Sequence, residues 1–224
     1  MRSHASILSP FMLLMMALST VDSGAQDPPG RRYEVSITNL TKGQTFTPIL
    51  VASHRQGVRI FELGAGASPE LEAVAESGDT GPLAAVLEAL PQVKDVQVIG
   101  GLLGPGQTAT VEVEAPGSFR HVSVASMLIP TNDGFFGLNG AAGPNGREPQ
   151  VHFSPAYDAG TEVNEELCED IPGPQCQGSG ALDAGTEEDG VVHINAAIQG
   201  VGDLEPGRWD WRNPVARIVI RRAP

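Results

Sequence analysis

Ser126-Met-Leu-Ile-Pro-Thr-Asn-Asp-Gly-Phe-Phe-Gly-Leu-Asn-Gly140 is followed, after a Gly/Pro/Asn-rich connection, by His152-Phe-Ser-Pro-Ala-Tyr-Asp-Ala-Gly-Thr-Glu162. The residues from Val122 to Ile129 read as a buried strand that ends at Pro130, and Asn132 and Asp133 suit the turn that follows. Further on, Asp158 and Glu162 bracket a tight Ala159-Gly160 turn. Hard cations take six to eight oxygens at about 2.3–2.6 Å, drawn from carboxylates and main-chain carbonyls on flexible loops. Two acidic loops flanking strand ends can supply them, so binding of such a cation is the functional expectation.

Outward from these runs the pattern stays β-like. Tyr33 to Leu40 and Thr108 to Glu114 alternate apolar with polar residues at period two, as half-buried strands do. Thr47 to His54, Val58 to Leu63, Val93 to Ile99, Phe119 to Ile129, Val191 to Ile198 and Val215 to Arg222 are further strand candidates. The period changes only after Ser68. That residue can cap a helix opened by Pro69 and carrying Leu71, Val74 and Ala75 on one side. Pro82 opens a second short helix through Leu83, Val86, Leu87 and Leu90, and both helices read as core packing over a sheet. Many strands, turns rich in Gly and Pro, and two short helices imply a mainly β antiparallel sandwich. Strands do not alternate with long helices, which disfavours a doubly wound parallel sheet.

Residues 1–25 carry an early Arg2, an apolar run from Ile7 to Ala17 and small residues at Ser23-Gly24-Ala25, the layout of a cleaved export signal. Residues 26–32 read as a flexible leader and residues 33–224 as the folded domain. The formal net charge of −13 disfavours nucleic-acid partners, and no later apolar run reaches membrane-spanning length. The expected location is therefore secreted, periplasmic or at the cell surface. Between Ser154 and Gly190 there are ten acidic residues and no Lys or Arg. That segment is expected as a flap, or as a loop ordered by cations and by a Cys168–Cys176 disulfide.

His54, His121, His152 and His193 have no zinc-hydrolase spacing. His54 and Asn132 read as structural, Glu187-Glu188-Asp189 as a solvated run, and Trp209 and Trp211 as the packed end of the sandwich. The glycines at 104 and 106 precede a strand pattern rather than a helix, so the phosphate-binding mechanism is missing.

Taken together, these stretches resemble the spondin N-terminal domain, known from secreted matrix proteins and from stand-alone exported bacterial proteins. Thr47-Pro-Ile-Leu-Val-Ala-Ser-His54 and the following Gly64-Ala-Gly-Ala-Ser-Pro-Glu70 are similar to its early strand and helix start. Ser126-Met127 through Pro130, Asp133 and Gly137 resembles its Ser-Met…Pro…Asp segment. Tyr157-Asp-Ala-Gly-Thr-Glu162 resembles its aromatic-Asp-Ala-Gly-Thr-Asp turn. The resemblance implies a C2-like sandwich with calcium held by Asp133, Asp158 and Glu162, the last replacing the family's usual Asp. Asp-Ala-Gly-Thr recurs at Asp183, but Leu182 lacks the preceding aromatic, so Asp158 is the expected ligand. Residues 163–190 look like an acidic, disulfide-bearing insertion.

The function expected is that of a non-catalytic calcium-binding module acting in surface or extracellular recognition or adhesion, with a cell-surface protein or glycan as partner. The alternative is a secreted carbohydrate-active hydrolase using paired carboxylates about 5–5.5 Å apart.

Overall fold

A computed structural model describes residues 30–178 and 190–224. The export signal, residues 26–29 of the leader, the Asp183 copy and Glu187 to Asp189 lie outside the described residues.

Two antiparallel sheets pack face to face. The smaller contains β1 (Arg32–Asn39), β5 (Thr108–Glu114), β8 (Gln150–Ser154) and β11 (Ala216–Arg222), in the order β5-β1-β11-β8. The larger contains β3 (Ile49–His54), β4 (Val93–Ile99), β6 (His121–Ile129), β7 (Gly134–Ala142), β9 (Ala156–Asp158) and β10 (His193–Ile194). Its order is β10-β9-β7-β6-β3-β4, and the short β2 (Thr45–Phe46) also pairs with β6. The mainly β sandwich expected from the period-two runs is the fold that forms.

The alternation in β1 explains its placement. Tyr33, Val35 and Ile37 face inward and are fully buried, while Glu34, Ser36 and Thr38 face outward. On β11, Ile218 and Ile220 join the same layer. Phe46, Val51, Val124, Leu128 and Phe136 of the larger sheet close on them. Each such side chain contributes about 1.5–3 kcal/mol when removed from water. Trp211 is buried in this core and Trp209 packs against it, as expected for the closed end of a sandwich.

The opposite face of the larger sheet is covered by α1 (Pro69–Ser77) and α2 (Gly81–Glu88). Val74, Leu83 and Leu87 pack on Leu50, Ala52 and Ala125, while Leu71 and Ala75 pack on Phe135. Ser68 accepts the Leu71 N–H at 3.3 Å, and Gly78 ends α1 in the left-handed region at φ 70°. A Cβ at Gly78 would come within 2.7 Å of Thr47, so only glycine lets the helix end lie this close to the chain entering β3.

Several expectations are corrected. Residues 58–63 form no strand. The Asn139 side chain takes up their main chain instead, accepting from Ile60 N–H at 3.0 Å and donating to the Phe61 carbonyl at 2.5 Å. The strand expected over Val191 to Ile198 shrinks to β10. Asn195 turns the chain there by accepting the Ala197 N–H at 2.8 Å, with Ala197 at φ 65°. A third short helix, α3 (Pro206–Trp209), joins the two expected. Arg31 and Arg32, read as leader, are already tied into the smaller sheet through Ala115 and Ala223. Cys168 and Cys176 form the expected disulfide, which stabilises its loop by roughly 2–3 kcal/mol. The acidic stretch containing that loop is no free flap over residues 163–178: Ile171 is fully buried in the main core.

Candidate metal centre

The turn between β6 and β7 is held by Thr131, whose hydroxyl donates to the Leu128 carbonyl at 2.5 Å and accepts the Gly134 N–H at 3.0 Å. This closure carries Asp133 to the start of β7. Because Gly134 pairs with Asp158 across β7 and β9, the two turns share one pole of the sandwich. The Ala159 N–H donates to the Asp133 carbonyl at 3.2 Å and completes the seam. Past it, Gly160 adopts φ 70°, and a Cβ there would lie 2.6 Å from the Val191 nitrogen. The bare backbone lets residues 190–192 close over the turn, with Gly190 N–H on the Gly160 carbonyl at 3.0 Å.

All three expected ligand carboxylates are buried here: Asp133 is 0 %, Asp158 1 % and Glu162 4 % exposed. Their bonding differs. Asp133 uses only Oδ2, which accepts Thr161 N–H at 2.9 Å, Glu162 N–H at 3.3 Å and the Thr161 hydroxyl at 3.3 Å. Its Oδ1 is buried without a hydrogen-bond partner, and so is Glu162 Oε2. Asp158 is more fully engaged. Its Oδ1 accepts Gly160 N–H at 3.0 Å, and its Oδ2 accepts Asn164 at 2.8 Å and Asn195 at 3.1 Å. His193 Nδ1 stands 3.8 Å from Asp158 Oδ1.

Burial and like charge act together on these groups. Burial, then the Asp158 charge, push the Asp133 carboxyl up to about 7 against the opposing Thr161 and Glu162 N–H bonds. Glu162 is pushed up to about 8 by burial, then by the charges of Glu76, Asp133, Glu165 and Asp170. A buried carboxylate oxygen with no donor costs free energy unless it is protonated or meets a cation.

The donor set fits a hard cation in composition: oxygen ligands, surplus negative charge, and two buried oxygens without partners. It is not a preassembled cage, since no three His, Cys, Asp or Glu side chains converge as metal ligands among the described residues. Asp133 and Glu162 hold the unpartnered oxygens. Asp158 Oδ1 keeps a second lone pair beside its bond to Gly160.

The surrounding residues were less legible. Glu76 comes from α1, where helical periodicity alone reads as packing, yet it is buried and its charge acts on Glu162. Glu166 is also buried, and its carboxylate accepts three consecutive N–H groups, from Gln199 at 2.5 Å, Gly200 at 2.7 Å and Val201 at 3.0 Å. Asn132 is structural, donating to Glu165 at 3.1 Å and accepting Glu166 N–H at 3.2 Å. His54 is structural too, bonded to the Arg55 carbonyl and the Ser123 hydroxyl at 2.8 Å each.

The cavities beside residues 195–199, beside Lys42 and Arg208, and beside Arg59 and Phe61 are lined by none of Asp133, Asp158 and Glu162. No helix among the described residues is long and apolar enough to cross a membrane. No curated protein matches the chain. The family model described as Spondin_N matches residues 37–143, from within β1 to just past β7.

Proposed function

Because the chain belongs to the spondin N-terminal domain family, whose members are extracellular, we propose that it is an exported, non-catalytic module that binds calcium at the Asp133–Asp158 pole and works by surface recognition. The observation that carries the reading is the pair of buried, unpartnered oxygens, Asp133 Oδ1 and Glu162 Oε2. Glu162 lies in a segment, residues 154–190, that contains no Lys or Arg. Asp133 and Glu162 would hold the ion directly, with Asp158 contributing through Oδ1. Bound calcium supplies compensating positive charge and no redox or nucleophilic chemistry.

The protein's own groups do the rest. Thr161 and Glu162 N–H groups orient Asp133, while Asn164 and Asn195 fix Asp158. Glu166 anchors the neighbouring 199–201 loop through its three N–H bonds. Extracellular modules commonly bind calcium with Kd of about 10⁻⁴–10⁻³ M. Titration calorimetry of calcium into the chelator-treated chain tests the reading. One site in this range, lost in Asp133→Asn, is expected; heat unchanged by that substitution would count against it.

A further inference from the structure

We propose that β8 is a docking edge for an extended acidic peptide segment of a partner protein, which adds to the smaller sheet as a fifth strand and sets an apolar side chain into the cavity beside Phe153. The two outer strands of this sheet differ. β5 is engaged from outside the sheet at its last residue: Ser53 donates to the Glu114 carbonyl, Asp95 accepts the Glu114 N–H at 2.8 Å, and Lys94 pairs with Glu114 at 3.5 Å. β8 pairs with β11 on one side, and among the described residues no strand pairs with its other side. No hydrogen bond from outside the sheet reaches the main chain of residues 150–153 among the described residues.

Natural edges are usually protected by charge, proline or a bulge. Residues 150–154, Gln-Val-His-Phe-Ser, carry no Lys, Asp, Glu or Pro, and Val151 and Phe153 are 44 % and 58 % exposed. The free edge also has a pocket beside it. Arg59, Phe61, Leu63, Leu138, Phe153 and Tyr157 line a cavity of about 470 Å³ where β8 meets β7 and β9. Strand addition draws affinity from main-chain hydrogen bonds and specificity from pockets for alternate side chains, and both parts are present here.

Charge selects the occupant. In a chain of net charge −13, β11 beneath this edge carries Arg217, Arg221 and Arg222 and no acid. Arg221 is held by Glu34. Arg217, exposed and in register with Phe153, and Arg59, at the cavity, make no ion pair among the described residues. Glu62 also lines the cavity, so the match is to an acidic strand flanking an apolar anchor rather than to a polyanion.

The inference stands apart from the cation site, and its test is run both with calcium and with chelator so that the two readings fail separately. The probe is a phage-displayed library of random dodecapeptides selected against the full chain. Enriched peptides that alternate acidic and apolar residues and perturb the amide resonances of residues 150–154 are expected. Their affinity should fall at least about tenfold on Phe153→Glu or Arg217→Glu and on placing a proline at the peptide's centre. Both substitutions are at exposed positions, and unchanged circular dichroism and melting would show that they leave the fold intact. Absence of enrichment, binding that leaves β8 unperturbed or tolerates the central proline, or dimerisation of the chain through β8 in sedimentation would each overturn the proposal.

Discussion

Asp133 accepts the Thr161 N–H through Oδ2 at 2.9 Å, and this bond holds the carboxylate so that its other oxygen, Oδ1, is buried with no partner. The side chain is oriented by its neighbours yet left half satisfied. Such an oxygen stabilises the fold only when a proton or a cation meets it. Asp133→Asn and Glu162→Gln therefore have opposite consequences in the two conditions. In chelator each should leave melting unchanged or raise stability by on the order of 1 kcal/mol, because a repelling charge is removed. In calcium each should abolish most of the stabilisation, which for the parent chain is about 2.7 kcal/mol at 100 times Kd. Paired melting curves check this.

Asp158 should behave differently. It accepts Asn164, Asn195 and the Gly160 N–H, so its carboxylate already organises the pole. Asp158→Asn replaces one acceptor oxygen with a donor facing donors. A loss of about 1–3 kcal/mol is expected with or without calcium, measured by denaturant titration. Asp183→Asn, by contrast, should leave the calcium-dependent shift intact.

The pH dependence carries a sign. Asp133 at about 7 and Glu162 at about 8 lie above their unfolded values of 3.8 and 4.5, so the native state binds more protons between these limits. Their contribution is fully present below about pH 4 and is lost as pH rises through about 7 to 8. Burial lowers His54, His121 and His152 below 6.5, so their contribution is present above that value and is lost as pH falls beneath it. The window between about pH 6.5 and pH 8.5 therefore isolates the carboxylates. In chelator, the melting temperature should fall across this window. Saturating calcium should flatten the slope, and proton release should accompany calcium binding.

Glu166 makes a prediction that does not involve calcium. Its carboxylate accepts the Gln199, Gly200 and Val201 N–H groups and joins the disulfide-bearing loop to the chain before α3. Glu166→Gln keeps the shape but removes the charge from these bonds. Hydrogen bonds to a charged group contribute about 1.5–3 kcal/mol, so a loss of that order is expected, equal in calcium and in chelator. Hydrogen exchange at the amides of residues 199–201 should quicken.

How much the sequence disclosed depended on whether each residue acts through local pattern or distant contact. The alternation in β1 and β5 and the Ser68-Pro69 helix start are local signals, and they formed as read. The nearness of Asp133 to Asp158 was not legible as a strand pattern, since Asp158 ends the three-residue β9 and Asp133 precedes β7, and it is the pairing of these two strands that brings the two turns together. β7 was missed because Gly134, Gly137 and Gly140 break its apolar pattern; burial against Phe61, Val124 and Thr131 decides that strand. Residues 58–63 look like a strand by composition, but Asn139, far along the chain, claims their main chain. Glu76 had no local signature, because a glutamate in the last turn of a short helix reads as solvated until the fold buries it beside Glu162. Glu166 was hidden likewise, its three partners lying more than thirty residues away.

A crystal structure of the chain grown with calcium tests the central claim most directly. One compact density peak is expected at the Asp133–Asp158 pole, with Asp133 Oδ1 and Glu162 Oε2 at about 2.3–2.6 Å from it. Density that leaves both oxygens without a neighbour at saturating calcium, or an ion bound only elsewhere on the molecule, would contradict it.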